Sequence, residues 1–132
     1  MKYDNFCRRV ISKRKLVMEK AEFFWSFLHL IDHGHRELYH LNKILKGVKV
    51  SERTKELLDG CREMFELVRD SYLKKDLEIL AKAHHLEKEL IYKKGYRALE
   101  LSKGKENIIL YHLISSIRKF FQTNSPLSGL IL

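Results

Sequence analysis

The sequence predicts an all-α protein: an up-down antiparallel bundle of four main helices followed by a short helical segment. Three observations predict it. Apolar residues recur every three to four positions over most of the 132 residues, the repeat of a helix face. One proline and six glycines leave little material for the turns of an all-β chain. The stretches between periodic segments are short, which forces neighbouring helices to run antiparallel. With 45% hydrophobic and 33% charged residues, the chain has enough apolar material to fold and no composition shift that would mark a second domain. Residues 1–132 are therefore read as one helical-bundle domain, with a basic helical arm over about residues 1–20.

The first helix is expected over about 5–46, with Asn5 as N-cap and Gly47 as its stop. Its apolar stripe steps through Val17, Ala21, Phe24, Leu28 and Ile31, then His35, Leu38, Asn42 and Leu45, and Phe23, Phe27, Leu30 and Leu41 widen it. Forty residues at 1.5 Å each would reach roughly 60 Å. Either the basic first third projects, or a bend falls near Gly34.

The second helix is expected over about 51–73, capped by Ser51, with Leu57 or Leu58, Cys61, Phe65, Val68 and Tyr72 inward. Gly60 weakens it and would allow close packing. A Lys74-Lys75-Asp76 connection leads to the third helix, about 76–102, capped by Asp76, with a stripe through Leu80, His84, Glu87, Ile91 and Ala98. Ser102-Lys103-Gly104 ends it. The fourth helix, about 105–124, turns Ile109, Leu113, Ile117 and Phe120 inward, with Leu110, Ile114 and Phe121 beside them. Pro126 then suits the first turn of a last short segment.

A net charge of +9 makes an acidic partner plausible. The bases concentrate at the start, where Lys2, Arg8, Arg9, Lys13, Arg14, Lys15 and Lys20 face only Asp4 and Glu19. Arg8, Arg9, Lys13, Arg14 and Lys15 are accordingly the candidate contacts to nucleic acid or another partner. Cys7 and Cys61 fall on apolar stripes and read as reduced, buried residues of a cytoplasmic protein. No apolar leader is visible and the most apolar run, Phe23 to Ile31, is too short to span a bilayer, so a transmembrane protein is not expected.

Four of the seven histidines, His29, His33, His35 and His40, lie within twelve residues. His29, His33, Glu37 and His40 share one helical stripe, and imidazoles with a carboxylate four residues apart can converge on a divalent metal ion. With Asp32 they form the candidate metal set; the competing reading is a solvated polar face. His35 sits on the apolar stripe itself and is expected to be a core histidine hydrogen-bonded to a neighbour such as Asp32. His84 and Glu87, three residues apart on the third helix, are expected to form a buried polar pair. Neither cysteine has a local base, no glycine-flanked serine elbow occurs, and no pair of acids has a catalytic spacing. The chain reads as a non-enzyme.

Two segments resemble the PhoU family of phosphate-uptake regulators. Leu30-Ile31-Asp32-His33-Gly34-His35-Arg36-Glu37-Leu38 is similar to that family's Glu-Arg-Ile-Gly-Asp-His stretch, with Asp32 and His33 matching directly. Met64 to Leu80 is similar to its helix-turn-helix, with the turn at Asp76. The resemblance covers about residues 15–132. It implies three-helix repeats and metal clusters on carboxylate-x-x-x-Asp spacings. Here Leu28 precedes Asp32, Ile91 follows Glu87, and Arg118 and Gln122 take the last pair, so only Asp32 and Glu87 remain. The function expected is regulation or scaffolding through protein contacts, in phosphate or other anion transport if the resemblance holds. A dimer is expected, because the broad face of the first helix and the tail Leu127, Leu130, Ile131 and Leu132 offer much apolar surface. Nucleic-acid binding and metal binding are the alternatives.

Overall fold

The computed structural model describes Asn5 and residues 20–132. Cys7, Val17 and the basic cluster Arg8, Arg9, Lys13, Arg14 and Lys15 lie outside the described residues. Every described element is helical. Helix α1 spans Ala21–Leu45 and α2 Glu52–Lys74. Helix α3, Leu77–Glu87, runs into a π-helical segment, Lys88–Gly95, and then into α4, Tyr96–Leu101. Helix α5 covers Lys105–Gln122 and α6 Asn124–Ile131. No helix among the described residues is long and apolar enough to cross a membrane.

The expected all-α, up-down antiparallel bundle is what forms. Helices α1 and α5 make the most extensive pair, crossing so that Lys20 reaches the Leu130 carbonyl, Gly34 meets Ser116, and Glu37 meets His112. As one numbering rises the other falls, so the pair is antiparallel. Helix α2 runs parallel to α5, with Ser51 beside Glu106 and Cys61 beside Ser116. It runs antiparallel to the strand of helix that follows it, with Glu56 opposite Lys94 and Gly60 opposite Leu90.

Local chemistry places the ends. Ser51 caps α2 by accepting the Thr54 amide, and Lys75 ends that helix in the left-handed region at φ 52°. Asp76 then caps α3 by accepting the Glu78 amide at 2.9 Å. Glu106, in the first turn of α5, ties two helix starts together. Its Oε1 accepts the hydroxyls of Ser51 and Thr54, each at 2.6 Å, and the Ser51 amide at 3.1 Å. Those bonds, the Ser51 hydroxyl foremost, hold its carboxyl below the ordinary range.

The core lies between α1, α2, the π segment and α5, centred on Leu41, Leu57, Met64, Ile91, Leu113 and Phe120. A smaller patch of Phe27, Val68, Leu80 and Leu127 adjoins it, with Ile31 packed against both. Helix α1 continues through Gly34, where the ring of Phe120 occupies the space beside the helix. Gly60 does allow close packing, against Leu90. Tyr72, expected inward, is exposed, and Met64 and Ser71 are buried instead.

The third helix departs most from expectation. Around Lys88–Gly95 the backbone widens, and the Tyr96 amide bonds to the Ile91 carbonyl five residues back. The extra residue in the turn rotates the chain so that adjacent Leu90 and Ile91 are both buried. Glycine at 95 permits this, since a Cβ there would stand 2.8 Å from the Leu90 carbonyl oxygen and 3.2 Å from Ile114 Cδ1. The inward residues are Leu80, Ala83, Leu90, Ile91 and Ala98, so the expected positions of His84 and Glu87 in that stripe are corrected.

Among the described residues, part of the apolar surface behind the expectation of a dimer packs within the bundle. Leu127 is fully buried, Leu130 and Ile131 pack on its cluster, and α1 is covered by α5 and α6. Leu132 alone of that tail stays widely exposed.

Candidate functional site

The candidate metal residues lie along one edge of α1, and the structure distributes them into separate pairings. His29 stacks on Trp25 with ring centres 5.1 Å apart and lies 4.2 Å from the His33 ring. Burial lowers the pKa of His33, and the nearby His29, Lys119 and Arg36 lower it further against the opposite pull of Asp32. Asp32 turns toward Arg36, whose Nε stands 3.7 Å away, beyond hydrogen-bond reach. Glu37 leaves the helix edge altogether and bonds across to His112 Nδ1 on α5, at 2.7 Å. His40 faces His112 with ring centres 5.8 Å apart. Among the described residues no three His, Cys, Asp or Glu side chains converge on a point that would hold a metal ion.

His112 was not singled out in the sequence. Its role comes from the antiparallel register of α1 and α5, and no spacing within either segment encodes that register. His35 is likewise corrected. Its Nδ1 donates to the Ile31 carbonyl at 2.9 Å rather than to Asp32, and its ring meets Phe65 and Phe120 edge-on at the surface. His84 and Glu87 are not a buried pair: His84 is exposed and lies against Phe121, 5.7 Å between centres, while Glu87 is half-buried. Within the regular helix before the π segment, Leu80 and Ala83 are the buried residues, which leaves His84 one position off the inward stripe.

Cys61 is buried, and its thiol donates to Ser116 Oγ at 3.7 Å, which in turn donates to the Gly34 carbonyl at 2.9 Å. Burial pushes the thiol up to about 11. It remains protonated and inert as a nucleophile at neutral pH.

Among the described residues, a surface cleft lies elsewhere, between α4 and α5. Its volume is about 460 Å³, and it is lined by Tyr96, Leu99, Tyr111, Ile114, Ser115 and Arg118, with Asn107 at one end. On α5, positions 107, 111, 114, 115 and 118 share one helix face. Arg118 donates to the Tyr96 hydroxyl at 2.6 Å, which braces the guanidinium against the opposite wall. Tyr92 meets Tyr96 edge-on at 5.5 Å. Tyr92, Tyr96 and Tyr111 are 56%, 40% and 62% exposed. The Asn107 amide is anchored to the Leu99 carbonyl and Ser102 Oγ. The Ser115 hydroxyl makes no hydrogen bond among the described residues.

No protein family, characterised protein or solved structure matches the chain. The cleft escaped the sequence reading because its tyrosines look like ordinary polar-face residues when α4 and α5 are read separately. The signal that could have found it is the pairing of Tyr92 with Tyr96 and of Tyr111 with Arg118 on two helices joined by Ser102-Lys103-Gly104.

Proposed function

We propose that this chain is a non-enzymatic regulatory domain that acts through contacts with another protein. The observation that carries this reading is the open cleft between α4 and α5, where Tyr96, Tyr111 and Arg118 stand together at the surface. Tyrosine and arginine concentrate binding energy at protein interfaces, since each offers a large contact area and directed hydrogen bonds. Among the described residues, Cys61 is the single cysteine and is a buried thiol, which suits a reducing cytoplasm. The setting in phosphate or other anion transport rests on the PhoU resemblance of residues 30–38 and 64–80.

The experiment is reconstitution. Proteins captured by the full chain from cells of its source are purified and recombined with it at about 0.15 M salt. The expected result is a stoichiometric complex that Tyr111→Ala weakens about tenfold or more. Failure of every purified candidate to form a stoichiometric complex would reject the reading. A component of a phosphate transporter among the partners would support the narrower setting.

Net charge of +9 favours a second reading, nucleic-acid binding. It requires affinity that falls steeply with salt through counterion release, and loss of binding when Arg8, Arg9, Lys13, Arg14 and Lys15 are replaced with Gln.

A further inference from the structure

We infer that the α4–α5 cleft receives an acidic, amphipathic helical segment of the partner protein. This rests on the regulatory reading and specifies its partner by chemistry.

The cleft walls are two helices, and its α5 wall presents Tyr111, Ile114, Ser115 and Arg118, the repeat that meshes with the ridges of a third helix. From Asn107 to Arg118 that wall rises roughly 16 Å, enough for about three turns of a bound helix. Leu99 and Ile114 form an apolar floor, and Tyr96 and Tyr111 stand exposed at the sides. An occupant with one apolar stripe fits this division.

Charge decides the rest. Arg118 is held by the Tyr96 hydroxyl, and no carboxylate among the described residues lies within ion-pair distance of it. Arg97, Lys103 and Lys105, on the same hairpin, are equally without an acidic partner among the described residues, whereas Lys93 and Lys94 are matched by Glu89 and Glu56. Of the hairpin's acids, Glu106 is occupied by Ser51 and Thr54, while exposed Glu100 offsets one of these cations without pairing with any of them. An incoming Asp or Glu would take the two-pronged guanidinium of Arg118, and Ser115 has a hydroxyl free to donate beside it. A nucleic-acid strand would instead need cations lining its path; the path here is floored by Leu99 and Ile114.

The π segment is part of the same construction. Its widened turn places Tyr92 against Tyr96 and allows Ile114 to approach Gly95, and such turns recur at functional sites because they re-aim side chains at an energetic cost.

The test uses the full chain and a phage-displayed library of helical peptides about 16 residues long, with a fixed apolar stripe and all other positions randomised. Selected peptides are synthesised and mapped by NMR on isotopically labelled protein. The expected winners carry Asp or Glu beside the stripe and shift the resonances of Leu99, Tyr111 and Ile114. Arg118→Gln should weaken them about tenfold or more, while Lys82→Gln, on exposed α3, changes nothing. Circular dichroism of Arg118→Gln should match the parent, since the side chain is exposed. The inference is overturned by an absence of winners, by winners without acid enrichment, by an Arg118→Gln effect under about twofold, or by a single-stranded oligonucleotide that produces the same shifts. Winners that map to another face would end this assignment and leave the regulatory reading standing. Only the reconstitution experiment decides that reading.

Discussion

The ring of Phe120 fills the space that a side chain at Gly34 would need, and a Cβ at position 34 would overlap it. His35 and Phe65 flank the ring with centres 5.4 and 5.2 Å away, which restricts its movement. Ser116 donates to the Gly34 carbonyl in the same crossing, so the α1 and α5 backbones are locked together at this point.

Gly34→Ala sets two effects against each other. Alanine gains about 1 kcal/mol of helix propensity, whereas forcing a methyl into a filled core costs about 1–3 kcal/mol or more. With the ring's movement restricted, the second should win, and the urea midpoint should fall at constant slope. Phe120→Leu in the same chain should return part of the loss; equal stability of Gly34→Ala and the parent would contradict the packing described.

Gly95→Ala should destabilise for a different reason. The new Cβ would press on the Leu90 carbonyl, part of the backbone, and on Ile114. Converting the segment to a regular helix would relieve the clash only by rotating Leu90 or Ile91 out of the core, and exposing either costs about 1.5–3 kcal/mol. Urea denaturation measures it, and a loss of peptide binding in parallel would tie the π segment to the cleft.

Glu106 makes stability depend on acid. Its folded pKa lies below the ordinary 4.5, so its contribution is complete above that value and disappears as pH falls through the lowered folded value. At neutral pH Glu106→Ala should cost about 2–3 kcal/mol, since it strips the acceptor from the buried Thr54 hydroxyl. Glu106→Gln keeps an acceptor and should cost about 1 kcal/mol. Both variants should lose less further stability than the parent on acidification, as read by denaturation at a series of pH values.

His33 acts at higher pH. Its folded pKa lies below 6.5, so the unfolded chain binds the proton more readily. Stability attributable to it is complete above 6.5 and declines as pH drops toward the lowered folded value. His33→Gln should flatten the stability profile in that window, and an unchanged slope would contradict the crowding by His29, Lys119 and Arg36.

Cys61 should resist thiol reagents in the native state. A thiol near 11 is about one part in a thousand thiolate at pH 8. In a Cys7→Ser background, Ellman's reagent should react slowly with folded protein and at once after unfolding. Prompt native reaction would mean that the contact with Ser116 opens readily.

Helix class, the caps at Ser51 and Asp76 and the inward face of α5 were legible in the sequence because each depends on residues within a few positions of one another. Periodicity placed Ile109, Leu113, Ile117 and Phe120 inward, and they are buried. The same method erred at His84, since Ala83 rather than its neighbour faces inward, and it did not see the widened turn that buries both Leu90 and Ile91. It also grouped His29, His33, Glu37 and His40 by their spacing on one helix, although Glu37 binds His112 instead.

By itself the amino-acid sequence determined that the chain is helical, where its turns come and which faces carry grease, all of which follow from short-range periodicity and capping. The tertiary structure alone decided which faces meet. It brought Glu37 to His112, set Glu106 at the start of α2 and made a cleft from Tyr96 and Arg118. The physical reason is that helix register depends on how side chains of distant segments fit together, as Phe120 fits beside Gly34, and one segment read alone does not contain its partner's shape.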